Sequence, residues 1–221
     1  MRRLERTTEG DAEEKKEKIV YYVTDLVQQS QYVNMFKKAG MDAVVLPDKI
    51  DQPFVSQLES KNEGIKFARI DADLTDTFKE ENSKEDEEEL TKKSEEIAEI
   101  FKKAVKNENI TVKLEKLKNE DIASMITVSE ESRRMQDMMK MYAMPGMDMG
   151  MMGMGKEGET LILNANNKLV SYVLDHKEAE NVDIICEQLY DLALIQQSPL
   201  QPEAMTKFIE RSNKIMMLLT K

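Results

Sequence analysis

The chain has 221 residues, 40% of them hydrophobic and 5% aromatic, with no tryptophan and one cysteine. Lys and Arg number 32 against 43 Asp and Glu, a net charge of −11, which repels phosphate backbones and anionic lipid, so neither nucleic acid nor membrane is an expected partner. No apolar run approaches the roughly 20 residues that span a bilayer, the charged amino terminus lacks the apolar centre of a secretory signal, and the lone Cys186 excludes an internal disulfide.

In chain order, residues 4–18 read as a charged helix end. Ile19–Thr24 is β-branched and aromatic, which predicts a strand. Ser30 is positioned to cap a helix running to Lys38, with Gly40 as its stop. Ala43–Leu46 is an apolar run ended by Pro47, a second strand; a short helix follows over about Gln52–Glu59, then a third strand over Lys66–Ile70. Strand alternating with helix implies a small parallel sheet with helices on its faces. The link after the first strand, Asp25-Leu26-Val27-Gln28-Gln29, lacks the glycines of a phosphate loop, which argues against nucleotide binding there.

Residues 73–89 are acidic and read as a linker merging into a long helix over Glu85–Lys106, whose apolar residues Leu90, Ile97, Ile100, Phe101, Ala104 and Val105 form one stripe. A domain boundary is placed near residue 80. The second domain opens with an alternating strand over Ile110–Leu114 and a further strand over about Ala123–Val128. Ser129 then caps a helix with Glu130 and Glu131 in its first turn, where negative charge suits the helix dipole. Pro145-Gly146 ends it, and a Met- and Gly-rich stretch, the loop 144–158, reads as flexible. A strand over Thr160–Leu163 and a helix over Asn166–His176 follow.

Two helices close the chain. Val182, Ile185, Leu189 and Leu192 lie three or four apart in the first; Met205, Phe208, Ile209, Ser212, Ile215, Met216 and Leu219 repeat that helical pattern in the second. A hairpin with this much apolar stripe is expected to pack against the same hairpin of a second copy. The fold class expected is α/β plus α+β: an αβα parallel-sheet unit over residues 1–80, then a mixed domain over 81–221 ending in a two-helix dimerisation hairpin.

Ten of the 17 methionines fall between residues 135 and 154, where Leu and Ile are missing. An ordinary core stripe mixes Met with Leu and Ile. An unbranched, polarizable thioether surface can repack against many shapes and suits a promiscuous binder. The thioethers around Met147–Met154 could also ligate Cu(I), but no His or Cys lies close in sequence, so no metal site is assigned. His176 and Cys186 read as structural, the first near a helix end and the second as a small core residue.

Several segments resemble the bacterial, HtpG-type members of the 90-kDa heat-shock chaperone family. Tyr21-Tyr22-Val23-Thr24, Lys37-Lys38-Ala39-Gly40 and Val44–Asp51 are similar to the last αβα part of that family's middle domain. Ser132–Lys140 resembles its exposed methionine helix. Leu189-Tyr190-Asp191-Leu192-Ala193-Leu194 and Pro202…Phe208-Ile209-Glu210-Arg211-Ser212-Asn213 resemble its two dimerisation helices. The resemblance implies a carboxy-terminal fragment that dimerises through its last helices and holds unfolded or partly folded clients through Met135, Met138, Met139 and Tyr142, with Phe54 as a further client contact. ATP and magnesium belong to the family's amino-terminal domain, which is not in this chain, so no cofactor and no catalysis are expected here. A cytoplasmic location is implied, as is a cut from a longer protein. Two rival readings are a small α/β enzyme domain, with a pocket near Asp25 and Asp48, and an inert dimerisation adaptor.

Overall fold

The computed structural model describes residues 18–72, 76–80, 84–135, 158–218 and 220. The amino-terminal helix expected over residues 4–18, apart from Lys18, lies outside them, as does the loop from 144 to 157.

Two three-stranded sheets organise the chain. In the first, β1 (Lys18–Val23) is central, with β2 (Val44–Val45) on one side and β3 (Ile65–Arg69) on the other, all parallel. The parallel links are helical, α1 (Ser30–Lys38) and α2 (Asp51–Lys61), as parallel pairing requires. Helix α1 buries Tyr32, Met35 and Phe36. Ser30 is its first helical residue and not its cap. The cap position is held by Gln29, whose buried Oε1 accepts from the backbone N–H of Thr24 at 2.9 Å and of Asp25 at 3.0 Å. Gly40, at φ +66°, ends the helix in the left-handed conformation that glycine tolerates. The segment then runs through a 3₁₀ turn at Asp76–Phe78 into α3 (Lys84–Val105).

The second sheet has the order β4-β6-β5: β4 (Thr111–Glu115) pairs parallel with β6 (Glu159–Asn164), and β5 (Ser124–Val128) pairs antiparallel with it. Between β5 and β6, helix α4 is described over residues 130–135. Its cap is Ser129, whose Oγ accepts the Ser132 N–H at 3.2 Å, so the first turn forms as the sequence predicts. Helices α5 (Lys168–Asp175), α6 (Val182–Ile195) and α7 (Pro202–Leu218) complete the chain.

The larger core joins α3, this sheet, α5 and α6, around Ile97, Phe101, Leu163, Val173 and Cys186. The smaller core crosses residue 80: Val23, Tyr32, Phe36 and Ile70 pack with Leu117, Ile122, Met125 and Ile162. Polar contacts cross with it. The Tyr32 hydroxyl donates to the Ile126 carbonyl at 2.6 Å, and the Val128 N–H donates to the Asp71 carbonyl at 3.3 Å. The two sheets therefore share a packed seam.

One expectation is corrected here. Val182 and Leu189 are each only 2% exposed and belong to the larger core, so they cannot face a second copy. Helix α6 is apolar on more than one side (Val182, Ile185, Cys186, Leu189, Tyr190, Ala193), and a helix of that kind is wrapped by its own domain. Helix α7 buries no residue at all. It is held to α6 by polar contacts: Arg211 reaches Glu187 at 2.8 Å, Gln188 at 2.9 Å and the carboxylate of Asp191, and Gln188 donates to Ser212 Oγ at 3.1 Å.

Candidate functional site

Three surfaces hold the residues singled out from the sequence. The first is the start of α4. Met135 is 53% exposed there, and Phe54 on α2 is 56% exposed. Both are large apolar side chains offered to solvent. Met138, Met139 and Tyr142 lie outside the described residues, as do the methionines from 141 to 154.

Two consecutive arginines fix this start. Arg133 is buried and donates through Nη2 to Asp71 Oδ2 at 3.1 Å and to Gln197 Oε1 at 3.0 Å. Asp71 is also gripped by Arg69 through Nε and Nη2. Burial pushes the Asp71 carboxyl up, but the hydrogen bonds and charge of Arg69 and the charge of Arg133 outweigh it and hold the group below its ordinary range. Arg134 turns the other way. It pairs with Glu59 of α2 at 2.6 Å and 2.9 Å and with Glu130, one turn back, at 3.0 Å. Glu130 also accepts from the Tyr22 hydroxyl at 3.1 Å. Burial would raise Glu59, but Arg134 and the Phe67 N–H outweigh it and leave its pKa lowered. The network ties α4 to β1, α2, β3 and the end of α6. Sequence reading missed it because Asp71 and Glu59 stand 62 and 75 residues from their arginines.

The second surface is the outer side of α7. Ile209 and Met216, seven residues apart and so on one face, are 51% and 55% exposed. Met217, Leu218 and, on α6, Leu192 are exposed as well. Met205, Phe208 and Ile215 are half-buried, as is Ile185. Leu219 lies outside the described residues.

The third is the enzyme reading's proposed pocket. Asp25 Oδ1 accepts from the N–H groups of Val27 and Gln28, both at 2.9 Å, and Asp51 Oδ2 accepts the Asp48 N–H at 2.9 Å. Asp25 and Asp51 thus shape turns, the ordinary work of Asp in such positions. His176 stacks on Tyr172, with ring centroids 4.3 Å apart. Cys186 sits in the core as predicted. Among the described residues no group of three or more His, Cys, Asp or Glu is placed to hold a metal ion, and no helix is long and apolar enough to cross a membrane.

The described residues thus form a two-sheet α+β chain with an exposed methionine at the start of α4 and a terminal helix in which no residue is fully buried. The model of the family described as Hsp90 protein matches residues 10–221, and the chain belongs to that family. It is 30% identical over 169 residues to the chaperone protein HtpG of Bacteroides thetaiotaomicron, covering 73% of this chain and 24% of that protein. It is 27% identical over 221 residues to the chaperone protein HtpG of Borreliella afzelii, covering 96% of this chain and 32% of that protein. With the chaperone protein HtpG of Treponema denticola the identity is 28% over 213 residues, 90% of this chain and 31% of the relative. The chain thus spans about a quarter to a third of the length of the relatives it matches.

Proposed function

We propose that this chain is the carboxy-terminal, dimerising and client-holding part of an HtpG-type chaperone. The observation that carries the reading is α7: a helix of 17 residues with no buried side chain and with Ile209 and Met216 aligned on its outer face. An apolar face of this kind is covered in a symmetric pair when each copy presents it to the other. Helix α6 supplies the base on which α7 is mounted. Clients are held at Met135 and Phe54, whose exposed apolar surface lets non-native chains make weak, adaptable contacts. Met138, Met139 and Tyr142, outside the described residues, join the proposal through the family resemblance of Ser132–Lys140 alone. In this reading the part played by the chain is to pair with a second copy and to hold clients. A cytoplasmic setting goes with this reading.

Sedimentation over a concentration series tests the dimer. The wild-type chain is expected as a dimer and the pair Ile209→Asp with Met216→Asp as a folded monomer, because each change puts an unpaired charge into the apolar contact. A wild-type monomer at all concentrations overturns the dimer. Leu189 is unsuitable for this experiment, since it lies in the core and its loss unfolds the protein. Met135→Ser with Phe54→Ser is expected to weaken suppression of client aggregation without changing sedimentation; unchanged suppression removes those residues from the client surface.

A further inference from the structure

β3 is an edge strand of the first sheet, yet its outer backbone groups are not left to water. Glu59 Oε1 accepts the Phe67 N–H at 2.7 Å, Glu130 Oε2 accepts the Arg69 N–H at 3.1 Å, and Arg134 Nη2 donates to the Phe67 carbonyl at 3.2 Å. Acceptor, donor and acceptor, offered to alternate residues, are the groups a neighbouring strand would present. Three side chains thus stand in for a missing strand. Along the same edge runs a cleft of about 680 Å³, whose apolar lining comes from Ile19, Ile65, Phe67, Ala68 and Met135.

We propose that this cleft takes an extended apolar client segment flanked by Lys or Arg, which adds to β3 as a fourth strand by displacing Glu59 and Arg134 from the backbone of Phe67 and Glu130 from that of Arg69. The inference rests on the client-holding reading and names the form in which a client is held. Exchanging side-chain hydrogen bonds for strand hydrogen bonds costs little, because one partner replaces another of the same kind. Burying the segment's apolar residues in the cleft then supplies the net gain. The Arg134 side chain is 37% exposed, so it can swing out without unpacking a core. Charge selects the flanks. Glu59, Glu130 and Glu131 border the cleft against Lys66 and Arg134; once Glu59 and Glu130 lose their backbone partners, a cation on the segment is the group that restores them. The chain's net charge of −11 turns acidic segments away.

The probe is a fluorescein-labelled peptide of roughly six residues, the usual strand length, with Val and Ile in the middle and Lys at both ends. Two comparison peptides carry N-methyl groups on alternate backbone amides, or Glu at the ends. Anisotropy reads affinity, and hydrogen exchange reads the Phe67 and Arg69 amides. The parent peptide is expected to slow exchange at both amides, and N-methylation to weaken binding roughly tenfold, the loss of one or two net hydrogen bonds. Glu ends are expected to weaken binding as well. Glu59→Ala, which removes one of the carboxylates that select the ends, is expected to narrow the difference in affinity between the Lys-ended and Glu-ended peptides. Equal affinity of the parent and N-methylated peptides, or unchanged exchange at Phe67 and Arg69 in the bound state, overturns strand addition. If strand addition fails while Met135→Ser with Phe54→Ser still abolishes suppression of client aggregation, the client reading stands alone; if the chain suppresses no aggregation at all, both fall. Protection of β3 in the chain by itself that rises with protein concentration would assign the edge to a second copy instead, and would overturn the client segment.

Discussion

Arg133 Nη2 lies 3.1 Å from the Asp71 carboxylate, and the two side chains are 8% and 0% exposed. This ion pair crosses between the sheets, joining the second residue after β3 to the first turn of the methionine-bearing helix. A buried carboxylate with two guanidiniums around it is costly to form and costlier to break, since removing one partner strands the others without water.

Asp71→Asn is therefore expected to destabilise the fold by about 3 kcal/mol, read as a shift of the urea midpoint. The pH dependence has a definite sign. The folded pKa of Asp71 is depressed, so its contribution is complete above the unfolded value of about 3.9 and is lost as pH falls through the lower folded value. The wild-type protein should lose stability more steeply than Asp71→Asn through that acid window. Parallel pH profiles for the two would show that the pair contributes nothing.

Gly158, which opens the return into β6, has φ +84°, and a Cβ added there would overlap Ser132 Oγ and stand 2.6 Å from Ser132 Cβ. Gly158→Ala should cost more than the roughly 1 kcal/mol of backbone strain alone, because Ser132 sits in the capped first turn of α4 and cannot simply retreat. Ser132→Gly in the same chain should recover part of the loss, the non-additivity expected of residues in contact. Additive effects in thermal melts would mean that the two positions do not touch.

Cys186 should resist alkylation. Burial first, then the charges of Asp183 and Glu187, push its thiol up to about 12, and the thiolate is the reactive form. Iodoacetamide at neutral pH is expected to label the urea-unfolded chain and leave the folded chain largely unlabelled over the same interval. Labelling of the folded protein at the free-thiol rate would place α6 outside the core.

Much of this architecture could be read from the amino-acid order because its signals are local. The β-branched run in β1, the glycine after α1, the 3.6-residue stripe of α3 and the Ser129 cap each act within one or two turns of chain, and each element lies within a few residues of its expected place. The misplaced residues, Val182 and Leu189, fail for a reason that spacing cannot resolve. An apolar stripe says that something covers a helix face, not whether the cover comes from the same chain. The fuller signal was the breadth of apolar character around α6, against the narrower stripe of α7. The arginine network was illegible for another reason: Arg133 and Arg134 are two ordinary charged residues until the fold brings Asp71 and Glu59 to them. Ser30 likewise looks like a cap, but Gln29 takes that position because its long amide reaches back to the backbone of Thr24 and Asp25.

Successive side chains on a helix diverge by about 100°, and here the two in question are both occupied. Arg133 is pinned to the seam between the sheets and Arg134 to the rim of the first sheet. Neither bond alone would stop the helix from rolling about its own axis; together they act like two stays on a mast, and they set the bearing of the next residue. The compass direction in which Met135 faces is thus decided by its two charged predecessors, and a change that frees either stay would re-aim the thioether without touching it.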